Sequence, residues 1–274
     1  MPLRPEWHLL EGGAARVTTH PTVIAAAHGL QASWRTWGPL ARHLPSGTRL
    51  YALDLPWRAG NDYGWRHTAD ASQHLARALQ AVPERPDVLV AHSFGANAAL
   101  GYLTQPPPWA SRPRAAALAA PFFRTEDCPA DRAVFERHRE KVRALMAEAV
   151  RSRLGHRSEE LGEAVRTAME RTAIARLPPQ THQALFDSYR ATGVLDLSAV
   201  HIPVLVAVGE KDPGVDACQG RALTGRLPTA TLRVYRGVGH FLTHQAPKSF
   251  AADITALSPA YRTDTDSPSS MPLP

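Results

Sequence analysis

The chain has 274 residues, of which 44% are hydrophobic and 20% charged, and its formal net charge is +6. This composition excludes a wholly disordered chain. The length is that of one α/β domain with an insertion, since such domains commonly reach about 200–250 residues. The basic residues form no stripe, which excludes a typical nucleic-acid surface. No apolar run approaches the roughly 18 residues that span a bilayer, so we expect no membrane partner.

The N-terminus and the cysteines predict the cellular compartment. Residues 1–13 contain no apolar stretch of the kind that forms a secretory signal. The two cysteines, Cys128 and Cys218, are too few for a disulfide scaffold or a metal cluster. We therefore expect free thiols and a cytoplasmic location.

The first half of the chain alternates strand-like and helix-like segments. Gly12 and Gly13 separate two strand-like runs, residues 7–11 and 16–19, and this pattern predicts a hairpin. Short apolar runs then predict buried strands, and amphipathic spacing predicts the helices between them. The predicted strands are 22–27, 49–55, 87–91 and 114–120, and the predicted helices are 33–44, 69–82 and 94–103.

The middle of the chain has a different pattern. Between residues 122 and 193 we find no strong strand, whereas 134–154 and 159–174 have helical amphipathic spacing and Pro178-Pro179 ends the second. Alternation resumes afterwards, with predicted strands 202–209 and 231–235 and predicted helices 217–227 and 250–257. The last residues, 258–274, are rich in Pro, Ser and Thr, and we expect a disordered tail.

Alternating strands and helices predict an α/β fold with a mostly parallel sheet and helices on both faces. We expect a core formed by residues 1–121 and 194–257 and an inserted helical cap formed by 122–193. Ligands of such sheets bind beyond the carboxyl ends of the strands. Polar residues that directly follow the apolar runs are therefore the first candidates for chemistry.

The candidate nucleophile is Ser93, in the run A-H-S-F-G at 91–95. This run joins a predicted buried strand directly to a predicted helix, and a sharp turn there would lift the serine above the sheet at a helix N-terminus. Small residues are needed two positions before and after the serine, and Ala91 and Gly95 provide them. The alternative is an ordinary helix N-cap serine.

A serine hydroxyl needs a general base, and the base needs an orienting acid. His240 lies in G-V-G-H-F after the last predicted strand, and Asp212 lies in G-E-K-D after the strand 202–209. Each alone has an ordinary structural explanation, but three such positions, each following a strand, predict a triad. The weaker candidates for the acid are Glu210, Asp216 and Asp196. A zinc site at His240 and His244 is disfavoured because no carboxylate cluster accompanies them.

The oxyanion donors are predicted after the first core strand, at His28-Gly29-Leu30. The amides of Leu30 and Phe94 would face the developing negative charge, and Gly29 would permit an unusual backbone angle. The alternative is a simple strand-to-helix turn. Further substrate contacts are predicted for His28, Gly29, His92, Trp57 and Phe241. Trp34 and Trp37 are weighed with Trp57 as an apolar acyl site, although core packing is favoured for Trp37.

Taken together, these motifs resemble the α/β-hydrolase superfamily with a helical cap. The resemblance covers about residues 22–257 and rests on H-G at 28–29, L-D-L-P at 53–56, A-H-S-F-G, G-E-K-D and G-V-G-H-F. It implies a triad in the chain order Ser93, Asp212, His240 and a cap that roofs the pocket. The run Trp57-Arg58-Ala59-Gly60-Asn61 departs from the family's L-P-G-x-G pattern, so the resemblance does not extend to a substrate.

The first hypothesis is a hydrolase without cofactor or metal that cleaves a small-molecule ester, thioester or lactone through a serine acyl-enzyme. The second keeps the site without hydrolysis: a biosynthetic cyclase, lyase or acyl transferase that acts on a polyketide-like or carrier-bound intermediate, with an acyl carrier protein as partner. The third is a binding or scaffold protein on the same fold, which an intact triad disfavours.

Overall fold

The computed structural model describes residues 6–17, 21–125, 127–155 and 157–258. The strands in this part of the chain are β1 (Glu6–Glu11), β2 (Ala14–Val17), β3 (Val23–Ala27), β4 (Pro45–Ser46), β5 (Arg49–Asp54), β6 (Val88–His92), β7 (Ala115–Ala119), β8 (Val204–Gly209) and β9 (Ala230–Tyr235). Seven of them form the main sheet in the order β1-β5-β3-β6-β7-β8-β9, and β2 and β4 form a separate pair.

Ten α-helices connect or follow these strands within the described residues. They are α1 (Gly38–Ala41), α2 (Ala71–Gln80), α3 (Phe94–Thr104), α4 (Arg132–Leu154), α5 (Arg157–Glu160), α6 (Glu163–Ala175), α7 (Pro179–Thr192), α8 (Ala217–Arg226), α9 (Leu242–Gln245) and α10 (Pro247–Leu257). None of the helices in this part of the chain combines the length and the apolar content that crossing a membrane would require.

The sheet is parallel except at one edge, where β1 pairs antiparallel with β5. Its central strands are buried on both faces, as the apolar runs of the sequence predict. One hydrophobic cluster packs under α2, α3 and α8, and a second packs under α1, α9 and α10. The predicted α/β fold, a mostly parallel sheet covered on both faces, is confirmed.

Three local predictions need correction. The hairpin at Gly12-Gly13 is wrong: the two glycine amides bond to the carbonyls of Thr48 and Ala41, and β1 pairs with β5 while β2 pairs with β4. Residues 18–19 of that hairpin lie outside the described residues. The helix predicted over 33–44 is divided into a 3₁₀ turn, Trp34–Trp37, and the short α1, which has a proline in its first turn. The helix α7 was not predicted at all.

Helices α4 to α7 are inserted between β7 and β8, where the sequence predicts a cap. Helix α4 begins at Asp131, whose side chain accepts a hydrogen bond from the Val134 amide. Helices α4 and α7 each bury one side, whereas α6 buries none of its residues. Of the predicted tail, residues 259–274 lie outside the described residues; Ser258 is buried and its hydroxyl lies 3.1 Å from that of Thr22.

Candidate active site

Ser93 stands at the turn between β6 and α3 with a backbone φ of 56° and ψ of −123°. A positive φ is unfavourable for a residue with a side chain and costs about 1–3 kcal/mol. The turn is held by the Ser93 amide, which donates to the Ala119 carbonyl at 2.8 Å. Gly95 is required next to it, since a Cβ there would lie 2.5 Å from the His28 carbonyl oxygen.

The structure brings Ser93, His240 and Asp212 together. His240 Nε2 lies 3.0 Å from Ser93 Oγ, and His240 Nδ1 lies 2.7 Å from Asp212 Oδ2. Ser93 follows β6, Asp212 follows β8 and His240 follows β9, so all three are carried by the carboxyl ends of parallel strands. In this arrangement Nδ1–H donates to the carboxylate and Nε2 is free to accept the hydroxyl proton.

Asp212 is itself held by backbone donors. Its Oδ1 accepts hydrogen bonds from the amides of Gly214 and Val215, at 2.8 and 3.1 Å. Both carboxylate oxygens are therefore occupied, one by the loop and one by the imidazole. This leaves the carboxylate oriented toward His240 without help from solvent.

The weaker candidates for the acid are bonded elsewhere. Glu210 accepts from the Gly237 amide at 2.7 Å on the surface. Asp216 caps α8, and Asp196 caps the short 3₁₀ turn Leu197–Ala199. Of these four carboxylates, Asp212 is the one paired with His240.

The electrostatics of the site favour a protonated His240 beside an ionised Asp212. Burial alone would lower the pKa of His240, but the charge and hydrogen bond of Asp212, with a smaller effect of the Glu148 charge, raise this pKa above its usual value. Burial would raise the pKa of Asp212, but its interactions with His240 and with the two amides lower it below its usual value. Asp212 therefore stabilises an imidazolium at His240.

The two predicted oxyanion amides are both available. Within the described residues, neither the Leu30 amide nor the Phe94 amide donates to a protein acceptor, and Phe94 begins α3. One detail of the prediction is wrong, because Gly29 has no positive φ. The positive φ of this loop, 57°, belongs to Gln31, whose amide bonds to the Trp57 carbonyl.

His28 and Trp57, predicted as substrate contacts, are fully buried and hold the loops that border the site. His28 Nδ1 donates to the Gly29 carbonyl, and its Nε2 accepts from the Leu55 amide at 3.1 Å. Trp57 Nε1 donates to the His28 carbonyl at 2.9 Å. Burial lowers the pKa of His28 to about 4, so it is neutral. The structure gives both side chains a supporting role.

The other two tryptophans weighed for an acyl site lie on the opposite face of the sheet. Trp37 is fully buried in the cluster under α1 and α10, as core packing predicts. Trp34 packs against the same cluster and stacks on His8, with ring centroids 4.0 Å apart. Both therefore pack in a different core cluster from Trp57 and Phe94.

His92 and Phe241 lie beside the triad. His92 is buried and its Nε2 donates to the His240 carbonyl at 2.9 Å, while its Nδ1 has no hydrogen-bond partner among the described residues. Burial and the neighbouring His240 lower the pKa of His92 to about 3, so its ring is neutral. Phe241 is half-buried, with its ring 5.2 Å from that of His240 and 5.7 Å from that of His92.

Sequence reasoning missed the residues that the insert contributes. Phe122, at the start of the insert, stacks on the His240 ring with centroids 6.1 Å apart. Glu148 of α4 accepts a hydrogen bond from the His240 amide at 2.7 Å. A signal existed for Glu148, because it lies three residues after Leu145 on the apolar face of α4.

Little of the triad is exposed, and residues of the insert contact it. Only 7% of Ser93 and 3% of His240 are exposed. Asn97 of α3 links the core to the start of the insert: its side chain donates to the Phe122 carbonyl at 2.9 Å and accepts from the Phe122 amide at 2.8 Å. A weaker contact of 3.4 Å joins Asn97 to the Ser188 carbonyl in α7.

A cavity of about 480 Å³ lies alongside α3, between α2 and α7. Phe94 and Asn97 line it at the end nearest the triad, but Ser93 and His240 do not. Its apolar lining includes Trp65, Phe94, Tyr102, Ala184 and Leu195. Across the described ranges no group of three or more His, Cys, Asp or Glu side chains is placed to hold a metal ion.

Comparison with protein families and known proteins gives the following matches. A family model described as "Alpha/beta hydrolase family" matches residues 24–253, well over half of the chain. A comparison with curated proteins found no significant match.

Solved structures of similar shape cover nearly the whole chain. A bromoperoxidase from Bacillus anthracis is 18% identical, with a TM-score of 0.66 over 92% of this chain and 94% of its own. An esterase from Rhodococcus sp. ECU1013 is 20% identical, with a TM-score of 0.61 over 94% and 100%. A thermophilic esterase from Thermogutta terrifontis is 18% identical, with a TM-score of 0.62 over 96% and 94%. At these identities the likeness shows the fold alone.

Proposed function

Because the chain belongs to the alpha/beta hydrolase family, we propose that it is a serine hydrolase that cleaves a carboxylic ester, thioester or lactone through an acyl-enzyme on Ser93. The observation that carries this proposal is the pair of contacts at His240, 3.0 Å to Ser93 Oγ and 2.7 Å to Asp212 Oδ2. Two of the solved structures of similar fold are esterases.

The first half of the proposed reaction acylates the serine. The Ser93 hydroxyl proton passes to His240 Nε2 as Oγ attacks the substrate carbonyl carbon, and the carbonyl π electrons move to its oxygen. Asp212 holds the imidazole in the required tautomer and stabilises its positive charge. The amides of Leu30 and Phe94 stabilise the oxyanion, and losing one such donor typically costs about 3–4 kcal/mol of barrier.

Collapse of the tetrahedral intermediate completes the step. The His240 imidazolium protonates the leaving alcohol or thiol, the bond to it breaks and an acyl-enzyme remains. In the second half, His240 takes a proton from water as the water oxygen attacks the ester carbonyl carbon. The bond from that carbon to Ser93 Oγ then breaks, His240 returns the proton to Oγ, and a carboxylic acid leaves. The carboxylic acid and the leaving alcohol or thiol together contain the atoms of the substrate plus one water.

The surroundings of Phe94 support an apolar group in the substrate. The cavity of about 480 Å³ along α3 begins at Phe94, whose amide is a proposed oxyanion donor, and much of its lining is aromatic or aliphatic. Cavities of this size hold ligands of drug-like dimensions. A small acyl compound is therefore the proposed ligand class.

Enclosure of the triad favours a second candidate. With Ser93 and His240 almost fully covered, the acyl-enzyme forms in a site that admits little water. A nucleophile within the substrate, or a second bound alcohol, would then compete with water for the acyl group. Such an enzyme would be a cyclase or acyl transferase with the same first half-reaction.

Turnover of a substrate panel tests both candidates. Purified protein is given esters, thioesters and lactones of graded acyl length, and product masses are measured. Hydrolysis yields products that sum to substrate plus one water, whereas cyclisation or transfer adds none. A folded wild-type protein that turns over no member of the panel and forms no acyl-enzyme would contradict the proposal.

A further inference from the structure

Glu148 is a carboxylate of the insert that is buried against the core. It lies in the last third of α4 and only 8% of its surface is exposed. By contrast, Glu140 on the same helix faces solvent, with a side chain that is 72% exposed. Burying a carboxylate is unfavourable unless hydrogen bonds replace its lost water, so its partners reveal its role.

Within the described residues, Glu148 accepts hydrogen bonds from the loop that carries the base and from α9, which follows that loop. Oε1 accepts from the His240 amide at 2.7 Å and from Gln245 Nε2 at 3.0 Å. Gln245 Oε1 in turn accepts from the Gly239 amide at 2.6 Å. Two successive amides of the loop, 239 and 240, are thus held by a network anchored in α4.

Gly239 is shaped for this contact. A Cβ at this position would lie 2.0 Å from Glu148 Oε1, and the three nearest heavy atoms it would meet all belong to Glu148. The loop therefore approaches the carboxylate more closely than a residue with a side chain could. This close approach places the His240 amide within hydrogen-bond distance of Oε1.

We propose that Glu148 is a positioning residue: by holding the His240 amide it places the imidazole to reach both Ser93 Oγ and Asp212 Oδ2. The insert then completes the triad. This proposal rests on the proposed function, since it concerns the base of that reaction. The imidazole contacts to be maintained are the 3.0 Å and 2.7 Å distances described above, and misplacement by about 1 Å can cost 100-fold in rate.

The carboxylate also acts through its charge. Titratable groups that face His240 are Asp212 from the loop after β8, Glu148 from α4 and the neutral His92 from β6. The negative charge of Glu148 adds to that of Asp212 in raising the pKa of His240. Removing only the charge should lower this pKa, whereas removing the whole side chain should also free the loop.

The test is the rate at which a fluorophosphonate probe labels the full-length protein, measured across pH. We expect Glu148→Ala to slow labelling by about 10- to 100-fold, because the His240 amide loses its acceptor. Glu148→Gln keeps an oxygen for both donors, so its rate at high pH should stay within about threefold of wild type. The pH at which the labelling rate of Glu148→Gln falls on acidification should be lower than for wild type. The matched control is Glu140→Gln, on the exposed side of α4, which should change neither.

A double-mutant cycle with Gly239 gives a second test, and its Gly239→Ala arm in the wild-type background keeps the proposal falsifiable if Glu148→Ala is poorly folded. Gly239→Ala should slow labelling in the wild-type background, because its methyl group displaces Glu148. The same change in a Glu148→Ala background meets no carboxylate, so it should add little further loss. The ¹H NMR signal of the His240 Nδ1 proton reports the bond to Asp212 directly and should weaken in the single variants.

The outcomes separate this proposal from the proposed function. Absence of labelling in folded wild type contradicts the serine hydrolase itself. Labelling of wild type with an unchanged rate, pH profile and Nδ1 signal in folded Glu148→Ala contradicts the positioning role alone. Additive losses for Gly239→Ala and Glu148→Ala would also contradict it, because they would show that the two residues act independently.

Discussion

The sheet core and the helical insert hold their parts of the site in different ways. In the core, β6 is buried along its whole length and leads into the strained turn at Ser93. In the insert, α6 buries nothing, and Val165 and Met169 on it are partly exposed apolar residues. The core holds the three triad residues at strand ends, whereas the insert contacts His240 through the Phe122 ring and the Glu148 carboxylate.

This difference teaches where substitutions should act. A strained backbone such as that of Ser93 persists only where the surrounding structure is rigid, and the parallel strands supply that rigidity. The insert packs on the core through apolar residues such as Leu145 and Phe186. It also makes polar contacts through Asn97 and Glu148, each of which one substitution can remove. Core variants should therefore change the reaction, and variants at the contacts should change how the insert is held.

The largest effect should come from the core, at Asp212. Asp212→Asn keeps the shape but favours the wrong tautomer of His240, so we expect kcat to fall by about 10⁴-fold. The measurement is turnover of the best panel substrate, with circular dichroism to check folding. Asp216→Asn is the matched control, since it caps α8 without touching His240 and asparagine caps equally well. Equal activity of the two variants would remove Asp212 from the triad.

A contact between the two regions should mainly affect stability. Asn97→Ala leaves the Phe122 amide and carbonyl without partners, and unsatisfied buried groups cost about 1–3 kcal/mol each. The free energy of unfolding, measured in urea, should fall by about 2–6 kcal/mol for the two groups together. Arg139→Ala, which breaks an exposed pair with Glu136, should change it by less than about 0.5 kcal/mol. Comparable losses would mean that Asn97 does not anchor the insert.

The pH dependence of kcat/KM should show that the core, through Asp212, and the insert, through Glu148, both raise the pKa of His240. A protonated His240 cannot accept the Ser93 proton, so kcat/KM should rise as pH increases through the pKa of His240. Since Asp212 and Glu148 raise that pKa, the midpoint should lie above the ordinary histidine value of 6.5. Below the midpoint the rate should fall about tenfold per pH unit. A midpoint at or below 6.5 would show that burial outweighs the two carboxylates.

The same contrast explains what sequence could predict. The sheet, and the placement of Ser93, Asp212 and His240 after its strands, follow from local patterns: apolar runs, a small-residue turn and loop glycines. The pairing of β1 with β5 depends on a partner about forty residues away, so the glycine pair misled the hairpin prediction.

The contacts of the insert could not be predicted from local sequence patterns either, because their partners are also distant in sequence. Glu148 meets His240 across 92 positions of sequence, and Asn97 meets Phe122 across 25. Local spacing marks which face of α4 is buried, but not what it is buried against. His28 and Trp57 lie in the sequence motifs that follow β3 and β5, which suggested substrate contacts. Their side chains instead form hydrogen bonds that stabilise the loops bordering the site.

The most direct measurement is fluorophosphonate labelling followed by intact mass and peptide mapping. We expect wild type to gain one phosphonyl group on Ser93, and Ser93→Ala to gain none while remaining folded. Ser249→Ala, on the exposed side of α10, is the matched control and should label like wild type. Label on another residue, or equal labelling of Ser93→Ala, would show that the Ser93–His240–Asp212 arrangement does not generate the nucleophile.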